Sequence, residues 1–386
     1  MGDSQRLSPD EQLRSAREAF EDGPDLTIAV EEEFALLDPD TLELTNRFEE
    51  LKAAADGSEL DEHLVGELIA SEIEIKTGRC ANFSEAAELM ARRRAQLADL
   101  TDRFDVGLAA TGTHPWSRWQ DQRIIDTPHY RRNNEILQYV VWRNNSFGIH
   151  VHIGIRGADR AIAVCNAFRN VLPELLALSA SSPFVDDVVT GLHSVRTEIF
   201  TKLFPRCGIP DAYDGWAGFE QYVRFLYDTR SIDEHTQLWW SVRPHLGFPT
   251  VEVRICDAQP DLVEAQSLAA LMYALGVRFA RAVDEGEPLP SRPNRMLEEN
   301  LWRAIRYGLT EGLIDFERGE VVPARARIEA LIEWVEPVAQ EIGVAPYLSV
   351  PDANAAERQY GRLEELGSPR DVFAELVRRP RELVGG

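Results

Sequence analysis

The residues of this chain that could carry chemistry lie in short stretches that alternate polar and apolar side chains. In the stretch from Ile28 to Leu37, three consecutive glutamates interrupt apolar residues that suit a buried strand. Side chains alternate between the two faces of a strand, so Glu31 and Glu33 share one face and Glu32 points the other way. Two carboxylates on one face of a core strand are costly to desolvate, and a cation between them removes that cost. An acidic edge strand that faces water explains this stretch, taken alone, equally well.

A second acidic stretch, at residues 69–77, alternates in the same way. Its charged residues Glu72, Glu74 and Lys76 fall on one face of a predicted strand, and isoleucines fall on the other. Taken alone, this pattern favours an amphipathic strand whose charged side faces water.

Two imidazoles share one face of a third strand, predicted at residues 148–154. His150 and His152 alternate there with apolar residues. Imidazole is the commonest metal ligand in proteins, so this spacing indicates a metal site, although one structural and one exposed histidine would give the same pattern. Zinc hydrolases of the amidohydrolase type, which are TIM barrels, also use such a pair. A metal-dependent amide hydrolase built on His150, His152 and acidic ligands is therefore the alternative function.

A carboxylate and a guanidinium lie two residues apart in the stretch 250–257. Glu252 and Arg254 face one side of this predicted strand, opposite apolar residues. The glutamate would hold a cation and the planar arginine fork would take phosphoryl oxygens, so the pair suits a site where metal and phosphate meet. An ion pair within the strand is the alternative interpretation.

Four further polar residues are weaker candidates for binding. Thr113 and His114 lie in a glycine-containing loop after a short strand, which is typical of a loop that faces a ligand. Arg196 and Lys202 lie close enough in the sequence to bind one anion together. For the histidine and for this pair, a surface role is the more common explanation.

Composition and charge exclude several classes of function. The chain has 386 residues, of which 44% are hydrophobic and 27% charged, as is ordinary for a folded globular protein. Its formal net charge of -24 argues against a nucleic-acid partner, because phosphates would be repelled. Its four cysteines without C-x-x-C spacing fit reduced thiols, and neither a signal peptide nor a membrane-spanning run is evident. We therefore expect a cytoplasmic protein without nucleic-acid or membrane partners.

The pattern along the chain predicts a single catalytic domain, residues 1–386. It divides into a leading helix at 1–24, a motif-bearing core at 25–280 and a helical C-terminal part at 281–386. Within the core we expect a hairpin after the glutamate strand, helical spacing over 64–69, a long helix over about 82–104 and helical residues at 158–180. No segment has the composition of a linker between domains.

Five short motifs in a fixed order carry a resemblance to a known family. They are V-E-E-E-F at 30–34, G-T-H-P at 112–115, G-I-H-V-H-I-G at 148–154, L-W-W-S-V-R-P at 238–244 and T-V-E-V-R at 250–254. In this order they resemble the bacterial carboxylate–amine ligases of the type 2 glutamate–cysteine ligase family. The likeness runs from about residue 25 to 280, and E-N-L-W-R at 299–303 fits it as well.

The resemblance implies an α+β fold related to glutamine synthetase, with a curved, mainly antiparallel sheet that forms an active-site funnel and helices packed outside it. It implies an ATP-dependent ligase of the glutamate–cysteine type that forms a γ-glutamyl amide bond through a γ-glutamyl phosphate, with Mg²⁺ or Mn²⁺. Matching positions place Arg254 at the phosphoryl centre. The metal role falls on Glu31, Glu33, Glu74, His150 and Glu252.

The remaining expectations are less specific. Small molecules, namely amino acids and ATP, are the expected partners, and a homodimer is expected by analogy alone. A non-catalytic binding protein that has kept the fold is a third possibility. Weaker contacts to substrate or ATP are expected from Thr113, His114, His152, Arg196, Lys202 and Arg243.

Overall fold

The computed structural model describes residues 8–377, which form a mixture of helices and strands. The strands are β1 (Ile28–Leu37), β2 (Leu64–Val65), β3 (Glu72–Lys76), β4 (Gly107–Ala109), β5 (Ile149–Gly154), β6 (Phe184–Val185), β7 (Val188–Val189), β8 (Cys207–Gly208), β9 (Trp239–Trp240), β10 (Val242–His245), β11 (Thr250–Val253), β12 (Gly312–Asp315) and β13 (Glu320–Pro323). The helices are α1 (Pro9–Asp22), α2 (Phe48–Ala55), α3 (Phe83–Arg103), α4 (Pro128–Leu137), α5 (Tyr139–Trp142), α6 (Ala158–Phe168), α7 (Leu172–Ser179), α8 (Val195–Leu203), α9 (Gly215–Asp228), α10 (Leu262–Glu285), α11 (Asn294–Tyr307), α12 (Ala324–Glu341), α13 (Ala355–Leu366) and α14 (Pro369–Val377).

A seven-stranded sheet organises the described part of the chain. Its strands run in the order β10-β11-β5-β1-β3-β2, and β4 pairs with the C-terminal part of β1. Every pairing in this sheet is antiparallel. The predicted α+β class with a mainly antiparallel sheet is therefore confirmed.

One face of the sheet packs against helices and forms the hydrophobic core. Val30, Ile75, Val151 and Val253 point to this face and are buried, where α3, α6 and α10 cover the strands. Glu32 points to the same face, as predicted. Its carboxylate accepts hydrogen bonds from the Nε and Nη2 atoms of a buried arginine, Arg94.

Local signals predicted several helices correctly. The leading helix is α1, which begins with a capping box between Ser8 and Glu11. The long predicted helix is α3, capped by Asn82. The helical spacing predicted over residues 64–69 is wrong, because this stretch forms the short strand β2 and then an irregular connection. The predicted hairpin after β1 is reduced to a single bridge between Leu37 and Leu44.

The C-terminal part is mainly helical, as predicted, but it also contains the hairpin β12–β13. Helix α11 packs against α7, and α12 packs against α10. One hydrophobic cluster extends from Leu13 in the leading helix to Val344 after α12. The shared cluster is consistent with the predicted single domain.

The helical stretch predicted at 158–180 forms two helices, α6 and α7, bent by 58° at the break between them. Within residues 8–377, no single helix is long and apolar enough to cross a membrane. The bent pair reaches the necessary length and apolar composition only when both helices are counted together.

Candidate active site

The second face of the sheet lines a cavity of about 260 Å³. Strand pairing arranges its polar side chains in rows across the sheet, because side chains at paired positions stand side by side. The first row holds Ala29, His152, Glu252 and Arg243; the second holds Lys76, Glu31 and His150; the third holds Glu74, Glu33 and Gly148. The alternation that predicted a common face for these residues is confirmed.

Four carboxylates form what we call the acidic side of the cavity: Glu33, Glu67, Glu72 and Glu74. Burial raises the pKa of Glu33 and of Glu67 to about 7. Burial, and then repulsion by neighbouring carboxylates, raises the pKa of Glu72 and of Glu74 well above the ordinary value. Lys76 contacts Glu74 at 2.9 Å, but one lysine does not balance four carboxylates. The acidic side therefore either holds protons or binds cations.

A second group of charges, which we call the paired side, consists of Glu31, Glu252, His152, Arg243 and Arg254. Both oxygens of the Glu252 carboxylate accept hydrogen bonds, Oε2 from Arg243 Nε at 2.6 Å and Oε1 from Arg254. Burial would raise the pKa of Glu252, but the two arginines hold that pKa well below its ordinary value. Burial opposes ionisation of Glu31 as well, but His152 and His150 keep its pKa low. Both carboxylates are therefore ionised.

The two histidines of β5 differ in position, and His150 lies between the two groups. The Nδ1 atom of His150 lies 3.7 Å from Glu31, and its Nε2 atom lies 3.7 Å from Glu33. Burial, and then the nearby Arg254, lowers the pKa of His150 to about 3, so its ring is neutral, as a metal ligand must be. The Nδ1 atom of His152 forms a hydrogen bond with the hydroxyl of Thr250 at 2.9 Å.

The donor atoms of the cavity fit divalent cations. Three groups have ligand atoms within 4.8 Å of one another, and the groups overlap: Glu31, Glu74 and His150; Glu31, His152 and Glu252; Glu33, Glu67 and Glu74. The Oε2 atom of Glu72 is buried without a hydrogen-bond partner among the described residues, which indicates unsatisfied acceptor capacity. Carboxylate oxygens with an occasional imidazole are the donors that Mg²⁺ and Mn²⁺ prefer.

All five residues predicted to bind metal line this cavity, together with Arg254; their role as ligands stays a prediction. Three of the weaker candidates, His152, Arg196 and Arg243, also line it. His152 belongs to one of the metal-capable groups, whereas the family resemblance gives the metal role to His150 alone.

Three weaker candidates do not lie in the cavity. The hydroxyl of Thr113 donates to the carbonyl of Phe184, and both ring nitrogens of His114 are engaged by nearby backbone groups. Lys202 is exposed on α8, while Arg196 on the same helix is buried. The structure thus places Thr113, His114 and Lys202 outside the cavity, because the loop folds inward on itself and the helix turns its two basic residues apart. Ligand contacts from these three residues stay a prediction.

The sequence interpretation did not single out several residues of the cavity, among them Glu67 and His245. Glu67 lies in the irregular connection between β2 and β3, where no periodicity marks a face. His245 ends β10, and its ring centroid is 5.3 Å from that of His152. Its alternation with Arg243 was a usable signal, since both positions fall on one face of a strand.

Solved structures with the same fold are ligases. The glutamate–cysteine ligase of Francisella tularensis, solved in complex with AMP, matches with a TM-score of 0.66 and 14% identity over 93% of this chain and 89% of that chain. A bifunctional glutathione synthetase of Pasteurella multocida matches with a TM-score of 0.69 and 14% identity over 96% of this chain and 54% of that chain. The fold of this chain is therefore the fold that these two proteins share.

Sequence comparison identifies the family. A protein of Solibacter usitatus described as a candidate glutamate–cysteine ligase 2 is 39% identical over 92% of this chain and 93% of its own length. A similarly described protein of Rubrobacter xylanophilus is 34% identical over 95% of both chains. The family model for glutamate-cysteine ligase family 2 matches residues 27–362. The chain belongs to this family.

The alternative of an amide hydrolase on a TIM barrel is wrong. Such a barrel needs parallel strands that alternate with helices, whereas every pairing of the main sheet in the described chain is antiparallel.

Proposed function

We propose that this ligase joins the γ-carboxyl group of glutamate to the amino group of cysteine at the expense of ATP, through a γ-glutamyl phosphate. One observation carries the proposal: a single sheet face presents clustered carboxylates on one side of a cavity and two partly buried arginines on the other. A carboxylate is a poor electrophile, and phosphoryl transfer to one of its oxygens creates a good leaving group. Charge neutralisation and positioning dominate catalysis of this transfer.

The residues that would hold Mg²⁺ or Mn²⁺ are the three overlapping groups described above. Bound there, the cations would neutralise phosphate oxygens and orient them for transfer. Both oxygens of Glu252 accept hydrogen bonds from arginines, so a cation bound by Glu252 would lie next to Arg243 and Arg254.

A second cavity, of about 500 Å³, adjoins the first at the row of Ala29 and His152. Apolar groups dominate its lining, and the exposed ring of Phe248 stacks on His245 at one edge. An apolar cleft with an aromatic edge suits a purine ring. We therefore place the nucleotide base here, with its phosphates directed past Lys76 toward the acidic side.

In the proposed reaction the chain's own residues act by position and charge. Arg254 would bind the outer oxygens of the γ-phosphoryl group as it moves from ATP to the glutamate carboxylate. The amine nitrogen then attacks the acyl carbon, the C–N bond forms, and the C–O bond to phosphate breaks. The nitrogen loses a proton to a carboxylate of the cavity or to water, and phosphate leaves.

The test is ADP release by the purified protein. We expect release only when ATP, a divalent cation, glutamate and an amine are all present, and we expect cysteine to be the best amine in a screen of amino acids. ADP release without an amine would indicate hydrolysis. Absence of release with every acid and amine tested would favour the non-catalytic binding protein.

Two further proposals complete this picture. Among the described residues, all four cysteines are free thiols and three of them are buried, which supports action in the reducing cytoplasm. We also propose a homodimer by analogy to the family; light scattering on the purified protein would test it.

A further inference from the structure

A buried carboxylate outside the cavity, Asp257, is the centre of a polar network with no role in the reaction proposed above. Asp257 is 0% exposed. Its Oδ2 atom accepts hydrogen bonds from the backbone N–H of Ser181 at 2.9 Å and from the hydroxyl of Ser182 at 2.7 Å. Its Oδ1 atom accepts one from the hydroxyl of Ser194 at 2.9 Å. The backbone of Gly112 packs so closely on Oδ2 that a Cβ atom there would come within 2.7 Å.

The network reaches the cavity through one side chain, Arg196. Its Nη1 atom lies 3.8 Å from Asp257 Oδ1 and donates a hydrogen bond to the carbonyl of Ile255 at 3.3 Å. The backbone N–H of Arg196 donates to the hydroxyl of Ser182, which in turn donates to Asp257. The Nε atom of Arg196 is buried and has no hydrogen-bond partner within the described chain. One edge of the guanidinium is thus held by the network, and donors remain for a ligand in the cavity.

The guanidinium of Arg196 lies directly against the backbone of Gly148, where a Cβ atom would overlap its Nη2 and Cζ atoms. The N–H of Gly148 also donates to the carboxylate of Glu33, which places Arg196 at the third row of the sheet. Arg254 instead donates to Glu252 in the first row. Along the sheet, Arg196 therefore lies farther from the nucleotide cavity than Arg254 does.

We propose that Asp257 is a positioning residue that orients Arg196 to bind the α-carboxylate of the glutamate substrate. This inference rests on the proposed function. A guanidinium binds a carboxylate through two parallel hydrogen bonds only if its plane is correctly oriented. In the wall of a cavity, Arg196 needs a fixed counter-charge to hold that plane, and the serine-bonded Asp257 supplies it. Arg254 is left to the phosphoryl group.

The test compares glutamate with isoglutamine, whose α-carboxylate is replaced by a carboxamide, in assays of ADP release. We expect the natural protein to prefer glutamate by about a hundredfold in kcat/KM, and Arg196→Gln to reduce that preference to below about tenfold. Asp257→Asn, which keeps size but removes charge, should raise the KM for glutamate about tenfold and lower the preference. The KM for ATP should change less than about twofold, because Asp257 does not act on the nucleotide.

The matched control is Glu174→Gln, which neutralises another buried carboxylate, paired with Arg327 away from the cavity. It should lower thermal stability and leave the preference unchanged. If Asp257→Asn does not fold, Ser194→Ala removes the hydrogen bond to the oxygen nearest Arg196 and should shift the preference in the same direction. An unchanged preference in the folded variants, or an equal loss with both substrates, overturns the inference.

Failure of the proposed function gives a different result. In that case glutamate drives no ADP release in the natural protein either. The same variants are then compared on the amino acid that the screen identifies and on its carboxamide. A preference for the acid that depends on Arg196 but not on Asp257 would still overturn the positioning role.

Discussion

The acidic side and the paired side of the cavity differ in what stands opposite each carboxylate. On the paired side, Glu252 lies between Arg243 and Arg254, and its charge is balanced within the protein. On the acidic side, Glu67, Glu72 and Glu74 are close to one another, and the main nearby cation is Lys76 for Glu67 and Glu74 and Arg196 for Glu72. The same residue type thus has its pKa lowered on one side and raised on the other.

The difference indicates that the two sides have different roles in the proposed reaction. A balanced carboxylate holds arginines in place for an incoming anion, and it gains less from a bound cation than an unbalanced carboxylate does. Unbalanced buried carboxylates store unfavourable free energy that a bound cation relieves, so they provide the affinity for metal. In the proposed function, ATP and its cations would bridge the two sides: the acidic side would hold the cations, and the arginines would bind the phosphoryl group.

Removing one charge from the acidic side should have the largest effect. Glu33→Gln keeps the shape of the side chain but loses a predicted ligand. We expect metal-dependent ADP release to fall about a hundredfold or more, with a parallel loss of Mn²⁺ affinity in calorimetry.

The neighbouring residue supplies the control. Glu32→Gln changes the same strand on its opposite face and removes the buried carboxylate that Arg94 contacts. It should cost about 2–4 kcal/mol of stability and leave Mn²⁺ affinity intact. If Mn²⁺ affinity and turnover are unchanged in Glu33→Gln, the acidic side does not bind the metal.

A change on the paired side should have a smaller effect of a different kind. Arg254→Lys keeps the charge but loses the planar fork. We expect turnover to fall about 10–100-fold while the KM for ATP stays within about threefold, because the contact strengthens mainly in the transition state. Steady-state kinetics with ATP varied measures both. Near-normal turnover would mean that Arg254 forms only a structural ion pair with Glu252.

Much of this comparison was predictable from the sequence. Strict alternation in four strands placed Glu31, Glu33, Glu74, His150 and Glu252 on one face, because the period of a strand is two whatever the fold. The balance of charge was not predictable, since it depends on which strands become neighbours. Nothing local to Glu252 indicated that Arg243 would be its partner across β10 and β11.

The residues that the sequence misplaced or missed depend on tertiary packing in the same way. Thr113 and His114 carry suitable side chains, but tertiary packing turned them toward backbone partners rather than the cavity. Arg196 and Lys202 are six residues apart, roughly 240° around a helix, so α8 separates them. Glu67 was missed because an irregular connection has no period to read.

The pH dependence of metal binding should separate the two sides. Because burial raises the pKa of Glu33 and of Glu67 to about 7, both carboxyl groups hold protons below that pH in the metal-free protein. A cation must displace these protons, so Mn²⁺ affinity should rise as pH increases through about 7. Glu31 and Glu252, whose pKa values are held low, add no pH dependence in this range.

Calorimetry in two buffers with different ionisation enthalpies counts the displaced protons. We expect release of up to about two protons per cation at pH 6, one each from Glu33 and Glu67, and fewer at pH 8. An affinity that is flat between pH 6 and 8 would mean that the acidic side is already ionised, and the contrast between the sides would fail.

Glu72 allows the smallest and most selective test of the acidic side. Its carboxyl group lines the cavity but belongs to none of the three metal-capable groups, and its pKa is raised well above the ordinary value by burial and then by Glu33. A carboxyl group with a raised pKa in the folded state binds more protons there than in the unfolded chain. It therefore destabilises the protein progressively as pH rises above the unfolded pKa.

Glu72→Gln removes that penalty while it preserves size and one carbonyl acceptor. The metal-free variant should be more stable than the natural protein by about 1 kcal/mol at pH 8, and the gain should shrink toward pH 5, where the natural carboxyl group is protonated. Adding Mn²⁺ should also shrink the gain, because the cation relieves the same repulsion. Thermal unfolding at both pH values, with EDTA or with Mn²⁺, measures all four cases. A variant less stable than the natural protein at pH 8 would show that Glu72 is ionised and has a cationic partner, and the acidic side would then be balanced like the paired side.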